Sequence, residues 1–154
     1  MNARPASKID AANIVGHFID GADVADDNRP EAVTNPATGQ VTRHVAMASQ
    51  QTVESAIAAA AAAFPAWRDT PPAKRARVMF RFKQLLEEHA DEIAAAITDE
   101  HGKVLDDAMG EFGRGVEVVD YACGIPELLK GEYSRNVGPG IDSWSDFQPL
   151  GVVA

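Results

Sequence analysis

The chain has 154 residues, a length that accommodates one domain with its own hydrophobic core. Hydrophobic residues make up 45% and charged residues 24%, which is globular composition and excludes an intrinsically disordered chain. The net charge of −9 disfavours binding to nucleic acid or to an anionic membrane surface. The sequence has no apolar run of about 18 residues, so no membrane span is predicted. A single cysteine excludes an internal disulfide and indicates a reducing compartment, the cytoplasm or alternatively the mitochondrial matrix.

The N-terminal quarter predicts small strands joined by turns. Residues 1–16 are polar, and we expect a frayed tail ahead of a folded region, 17–154. His17–Val24 predicts a hairpin, because Asp20-Gly21 supplies the positive φ angles of a two-residue turn.

A second turn follows a loop rich in acidic residues. The loop, residues 26–30, lacks the spacing of a calcium-binding loop and is interpreted as a solvated turn. Asn35–Gly39 is the turn cluster, and Val41–Val45 returns as a strand.

The next region predicts three helices. The first begins at the N-cap Ser49 and ends at Phe64, because a residue before proline disfavours helical backbone. Trp67, which follows, is predicted to be a buried side chain that fills the core, a core plug. The second opens at Pro71-Pro72, and the third is a short helix capped by Asp91 and ended by Gly102. The apolar face of the second helix is expected to comprise Val78, Phe82, Leu85 and Leu86.

Several charged residues in these helices raise the question of a ligand site. The basic set in the second helix fits an anion site or, as we favour, a solvated stripe balanced by Glu87 and Glu88. Its members are Lys74, Arg75, Arg77, Arg81 and Lys83. His89 and His101 have no second ligand at a metal-like spacing, so no metal site is predicted.

The stretch from Gly102 to Cys123 predicts the helix around which the chain is organised. Its apolar stripe repeats every three or four residues, as expected of a helix that faces a core. The stripe consists of Leu105, Met109, Phe112, Val116, Val119 and Cys123. Arg114 lies about 180° from this stripe, and its neighbours Val118 and Tyr121 predict that the second face is also covered.

Three glycines surround Arg114 within this helix. Gly110, Gly113 and Gly115 each cost a helix roughly 1 kcal/mol relative to alanine, so close approach or an open space is expected nearby. One interpretation is tight packing, with Arg114 paired to Glu111 or Glu117. The other is a ligand site around Arg114.

The C-terminal part predicts loop and strand. Gly131–Gly140 is loop-like, Ile141–Gln148 is extended, and Pro149–Ala154 is expected to be a strand entering a core. Since a buried strand needs a covering layer, we expect this chain to be the N-terminal part of a longer protein.

Known phosphate-binding and nucleophile motifs are absent. The glycines of 110–115 follow no strand and are a poor phosphate loop, and no Walker motif or nucleophile elbow occurs. Cys123 closes the apolar stripe and is interpreted as a buried small hydrophobe, not a catalytic thiol.

A series of short motifs in order resembles the N-terminal third of an aldehyde dehydrogenase. The motifs are Phe18-Ile19-Asp20-Gly21, Asn35-Pro36-Ala37-Thr38-Gly39, Ala63-Phe64-x-x-Trp67, Arg75-Ala76-Arg77-Val78-Met79 and Glu100-His101-Gly102-Lys103. The resemblance implies an α/β fold: the N-terminal segment of the aldehyde dehydrogenase fold, with β-hairpins, a run of helices and a final strand entering a Rossmann-like domain. Trp144–Gln148 resembles a strand of the family's oligomerisation region.

A longer motif in the organising helix resembles one branch of that family. Gly110-Glu111-x-Gly113-Arg114-Gly115-x-Glu117 with Tyr121-Ala122-x-Gly124-x-Pro126 is similar to the CoA-acylating methylmalonate-semialdehyde dehydrogenases. The resemblance implies that Arg114 binds the substrate carboxylate, for which a planar guanidinium is suited. The family's nucleophilic cysteine, NAD-binding loops and second carboxylate-binding arginine would lie further along, so no catalytic, cofactor-binding or metal residue is assigned here.

The resemblance also implies the reaction of the complete enzyme. A cysteine thiolate attacks methylmalonate or malonate semialdehyde, NAD accepts the hydride, carbon dioxide leaves, and coenzyme A accepts propanoyl or acetyl. A small-molecule substrate, a homo-oligomer and a role in valine and inositol catabolism are implied as well. Two alternatives are a NAD(P)-dependent semialdehyde dehydrogenase that releases a free acid, and a noncatalytic helical scaffold with no exposed apolar terminus.

Overall fold

The computed structural model describes residues 14–26 and 29–154. Within them are seven strands and five α-helices. The strands are β1 (Ile14–Val15), β2 (His17–Ile19), β3 (Ala22–Val24), β4 (Pro30–Thr34), β5 (Val41–Ala46), β6 (Tyr133–Gly138) and β7 (Ile141–Trp144). The helices are α1 (Gln50–Asp69), α2 (Pro72–Glu88), α3 (Ala90–His101), α4 (Leu105–Cys123) and α5 (Ile125–Leu128). Of the predicted polar tail, residues 1–13 lie outside the described part, and Ile14–Val15 forms β1.

The chain divides into two compact units. The first contains the described residues up to Ala60 together with Asp99–Gly102. Its main sheet has the order β1-β5-β4, with β1 parallel and β4 antiparallel to β5. The predicted hairpin is confirmed, since β2 pairs with β3 and both Asp20 and Gly21 have positive φ.

A buried carboxylate organises the start of α1 in this first unit. Asp26 accepts hydrogen bonds from the Ser49 backbone N–H (2.7 Å) and the Thr52 hydroxyl (2.7 Å). Ser49 Oγ also accepts from the Thr52 N–H at 3.2 Å, which confirms Ser49 as the N-cap. The interpretation of residues 26–30 as a solvated turn was wrong at Asp26, which is buried; residues 27–28 lie outside the described part.

The second unit contains Ala61–Thr98 and Lys103–Ala154. In it α2 packs against α4 and α5, and Lys83 of α2 lies 3.5 Å from Asp120 of α4. The predicted end of α1 at Phe64 was wrong, because the helix continues through Pro65 to Asp69. Proline removes one backbone hydrogen bond, but continuing the helix brings the Trp67 ring to 6.0 Å from the Arg75 guanidinium.

Two predictions about burial were wrong in this unit. Trp67 is 46% exposed and is not a core plug; it lines an open apolar cavity of about 180 Å³ with Met79, Ala122 and others. The buried residue of α2 is Ala76, about half a turn from the predicted apolar face, which borders an open groove beside Ile93 of α3. Small Ala76 permits close helix packing, whereas Val78, Phe82 and Leu85 of the predicted face are only partly covered, at 53%, 45% and 38% exposed.

Two further boundary predictions were wrong, the start of α4 and the cap of α3. Helix α4 begins at Leu105 and not at Gly102, because Gly102 has a positive φ and the Val104 backbone is extended. His89 separates α2 from α3, and its carbonyl accepts a hydrogen bond from the Ile93 N–H at 3.0 Å. Asp91 was predicted to cap α3 but lies in the first turn of that helix. The carboxylate there still favours the positive helix terminus. Gly102 ends α3 with a φ of +79°, as predicted.

The C-terminal region of this unit forms a hairpin where a loop was predicted. Strands β6 and β7 pair antiparallel around Pro139-Gly140, so Gly131–Gly140 is a loop only in part. The Asp142 carboxylate joins the two strands by accepting from the Tyr133 hydroxyl and, at 2.8 Å, from the Asn136 N–H. The predicted strand at 149–154 was wrong, because strands need a partner and no described residue pairs with this segment.

Candidate functional site

The candidate site lies on α4. One side of this helix packs against α2 and α5 within the second unit. Ala108, Val119 and Cys123 are its buried residues. This confirms the core-facing side at Val119 and Cys123, and it confirms Cys123 as a buried side chain. The stripe is less complete than predicted, since Leu105 and Met109 are exposed.

The opposite side of α4 carries Arg114 and is open. Arg114 is exposed, and its neighbours Val118 and Tyr121 are 70% and 67% exposed. The prediction that this face is covered was therefore wrong for the described residues. Periodicity identifies an apolar face but not the element that covers it.

The glycines of α4 lie beside empty space. A Cβ atom built on Gly110, Gly113 or Gly115 would have no heavy atom within 4 Å among the described residues. The glycines therefore do not serve a tight contact there, as the packing interpretation required. They leave the surface around the Arg114 guanidinium free of side-chain bulk, which is space that a ligand can use.

The ion-pair interpretation of Arg114 is not realised in the described part of the chain. No described residue forms a hydrogen bond or ion pair with the Arg114 side chain. Glu111, the partner proposed from its spacing, instead accepts a hydrogen bond from Lys103 Nζ at 2.7 Å. Arg114 is therefore available to an external anion.

Lys103 binds two acidic residues of the first turns of α4. Its Nζ lies 2.7 Å from Glu111 Oε2 and 3.0 Å from Asp107 Oδ2. The Lys103 side chain as a whole is 17% exposed. Hydrogen bonds to Glu111 and then to Asp107 raise the pKa of Lys103, because they stabilise its charged form. This cluster was not among the sites predicted from the sequence.

Lys83, Arg75 and His89 interact with residues other than Arg114. Lys83 pairs with Glu87 at 2.5 Å and Arg75 donates to the Thr70 carbonyl at 3.1 Å; both side chains are half-buried. Lys74, Arg77 and Arg81 are exposed, so the predicted solvated stripe is found only in part. His89 lies 3.0 Å from Glu92. Among residues 14–26 and 29–154, no group of three or more potential ligands could hold a metal ion.

The described residues offer no cradle for a dinucleotide. The glycines at 110, 113 and 115 lie inside α4, where backbone N–H groups are paired within the helix, so they cannot bind phosphate as a loop does. In addition, no helix in the described ranges is long and apolar enough to cross a membrane.

Comparison with known proteins identifies the family of this chain. Residues 24–154 match the model of the aldehyde dehydrogenase family. A malonate-semialdehyde dehydrogenase from Pseudomonas aeruginosa is 61% identical over 138 residues, which cover 90% of this chain and 28% of that protein. The chain thus spans little more than a quarter of the length of this relative.

Solved structures give the same result. A methylmalonate-semialdehyde dehydrogenase from Oceanimonas doudoroffii matches with a TM-score of 0.85 and 63% identity, over 90% of this chain and 28% of that one. A protein from Sinorhizobium meliloti 1021, described as a methylmalonate-semialdehyde dehydrogenase and complexed with NAD, matches with a TM-score of 0.84 and 46% identity over the same shares. The α/β architecture expected from the sequence is confirmed, and the chain belongs to the aldehyde dehydrogenase family.

Proposed function

We propose that this chain is the N-terminal part of an NAD-dependent, CoA-acylating dehydrogenase of malonate or methylmalonate semialdehyde. The observation that carries the proposal is the 61% identity to a malonate-semialdehyde dehydrogenase across 90% of the chain. The whole protein would convert the semialdehyde, NAD and coenzyme A into acetyl-CoA or propanoyl-CoA, carbon dioxide and NADH. NAD is supported by the complex of the Sinorhizobium meliloti protein, whereas coenzyme A is supported by the resemblance of the α4 motif alone.

Within this proposal Arg114 binds the carboxylate of the semialdehyde. Its guanidinium has no competing partner among the described residues and lies beside three glycines with open space. A bidentate guanidinium–carboxylate pair fixes both the position and the orientation of a planar anion. A semialdehyde held by its carboxylate would present its aldehyde end at a set distance, which is what selection of this substrate class requires.

The broader parts of the proposal follow from the same family. The whole enzyme would be a homo-oligomer acting on a small-molecule substrate of valine or inositol catabolism, with its nucleophilic cysteine and NAD-binding loops outside this chain. A noncatalytic scaffold is disfavoured, because residues 24–154 match the aldehyde dehydrogenase family.

The experiment measures NADH formation by the whole gene product. The enzyme is given malonate semialdehyde, methylmalonate semialdehyde or propanal, each with and without coenzyme A. The proposal predicts efficient turnover of a semialdehyde only when coenzyme A is present, and much weaker turnover of propanal. Turnover that is independent of coenzyme A would support the dehydrogenase that releases a free acid, and absence of turnover would reject both.

A further inference from the structure

The β2–β3 hairpin closes through a two-residue turn formed by Asp20 and Gly21. Ile19 pairs with Ala22, so the two turn residues lie outside the ladder of strand pairs. Their φ values are +52° and +77°, and positive φ at both central residues is the mark of a type I′ turn. This is the only Asp-Gly pair in the sequence, and Asn-Gly does not occur. The turn therefore places a short side-chain carboxyl before a residue that has no side chain.

The two groups that would react in this turn are not held by other described residues. Asp20 is exposed, and no described residue forms a hydrogen bond or ion pair with its carboxylate. Gly21 is exposed too, and a Cβ atom built on it would have no described heavy atom within 4 Å. The strand ladder ends at the Ile19–Ala22 pair, so the Gly21 N–H takes no part in it. The Asp20 carboxyl carbon and the Gly21 nitrogen are both accessible.

A change of turn type brings these two groups together. Types I′ and II′ both close a two-residue hairpin, so the strand pairing is kept when one converts into the other. In type II′ the first central residue has a ψ of about −120°, which turns the next backbone nitrogen toward its Cβ atom. Asp20 then presents its carboxyl carbon to the Gly21 nitrogen in the geometry of a five-membered ring. Gly21 permits the change, because glycine adopts φ of either sign.

We propose that Asp20 is a site of spontaneous isomerisation to isoaspartate in the folded protein. The Gly21 nitrogen attacks the protonated side-chain carboxyl of Asp20. A C–N bond forms, a C–O bond breaks, and the hydroxyl leaves as water with the amide proton. Water then opens the cyclic imide; opening at the main-chain carbonyl yields isoaspartate with no net change in mass. This inference is independent of Arg114 and of the proposed reaction.

Isomerisation lengthens the main chain of the turn by one atom. The chain then runs through Cβ and Cγ of Asp20, and the former main-chain carbonyl becomes a free carboxylate. A two-residue turn of normal length can no longer join Ile19 to Ala22, so the pairing of β2 with β3 is expected to weaken.

The test incubates the folded whole gene product at neutral pH and follows peptides that contain residue 20 by mass spectrometry. A fraction of these peptides should lose one water, as the imide does. A growing fraction should keep its mass and accept a methyl group from S-adenosylmethionine and protein isoaspartate methyltransferase. Asp20→Glu should abolish both signals, because it keeps the charge but would need a six-membered ring; Asp20→Ala is the second variant.

Asp142 is the internal control in the same digest. Its carboxylate accepts hydrogen bonds from the Tyr133 hydroxyl and the Asn136 N–H, and it precedes Ser143 in a strand. Peptides that contain Asp142 should therefore stay unmodified. Equal modification there would indicate reaction through the unfolded chain and would overturn the inference. It would also be overturned if the folded protein formed no isoaspartate at residue 20, whether or not a synthetic peptide of residues 17–24 did so.

Discussion

Substitution of Arg114 by leucine removes the guanidinium while keeping a side chain that α4 tolerates well. A hydrogen bond to a charged group contributes about 1.5–3 kcal/mol. No described residue forms a hydrogen bond or ion pair with Arg114, so none of them competes with a carboxylate for the guanidinium. The whole of that free energy should therefore be lost from binding of the semialdehyde.

The expected result is a loss of about ten- to 150-fold in kcat/KM for malonate semialdehyde, since 1.4 kcal/mol corresponds to a factor of ten. The assay compares initial rates of NADH formation with malonate semialdehyde and propanal. Arg77→Leu on α2 is the matched control, because Arg77 is also exposed and no described residue pairs with it. Equal losses for the two substrates, or an equal loss in Arg77→Leu, would refute the reasoning.

Three further predictions concern stability. Gly113→Ala should increase the free energy of unfolding by up to about 1 kcal/mol, because the new methyl group meets only open space. The increase is measured as a higher midpoint of urea unfolding. A lower midpoint would show that another part of the protein needs the glycine. Asp26→Ala should destabilise the protein by about 1–3 kcal/mol in the same assay, because the Ser49 N–H loses its acceptor; an unchanged midpoint would contradict the capping role. The hydrogen bond from Tyr133 lowers the pKa of Asp142 below its ordinary value near 3.8, so its stabilisation of the β6–β7 hairpin is complete above that value and is lost as pH falls through the lower folded pKa. Asp142→Asn should remove this acid-dependent loss of amide protection in NMR hydrogen exchange, and an unaltered acid profile would count against it.

Features set by local chemistry were predictable from the sequence. The Asp20-Gly21 turn, the Ser49 cap and the end of α3 at Gly102 each depend on residues within one turn of the chain. The buried side of α4 at Cys123 also followed from periodicity, since a helix repeats its contacts every three or four residues.

Features that depend on contacts between separate helices and strands could not be predicted from the sequence. Helix α1 continues through Pro65 to Asp69 and brings Trp67 beside Arg75 of α2, a contact between helices that the local preference against helix before proline does not include. The openness of the Arg114 face was not predictable, since a pattern does not specify what lies opposite it. The Lys103–Asp107 pair has the i,i+4 spacing of helix neighbours and was predictable, whereas Glu111 lies eight residues from Lys103, beyond that spacing.

The identity of the product distinguishes a CoA-acylating dehydrogenase from one that releases a free acid. The whole gene product is incubated with malonate semialdehyde, NAD and coenzyme A, and the products are identified by mass spectrometry. A CoA-acylating dehydrogenase is expected to form acetyl-CoA in equal amount to NADH and to release carbon dioxide. A free acid formed at the same rate with or without coenzyme A would contradict assignment to a CoA-acylating dehydrogenase.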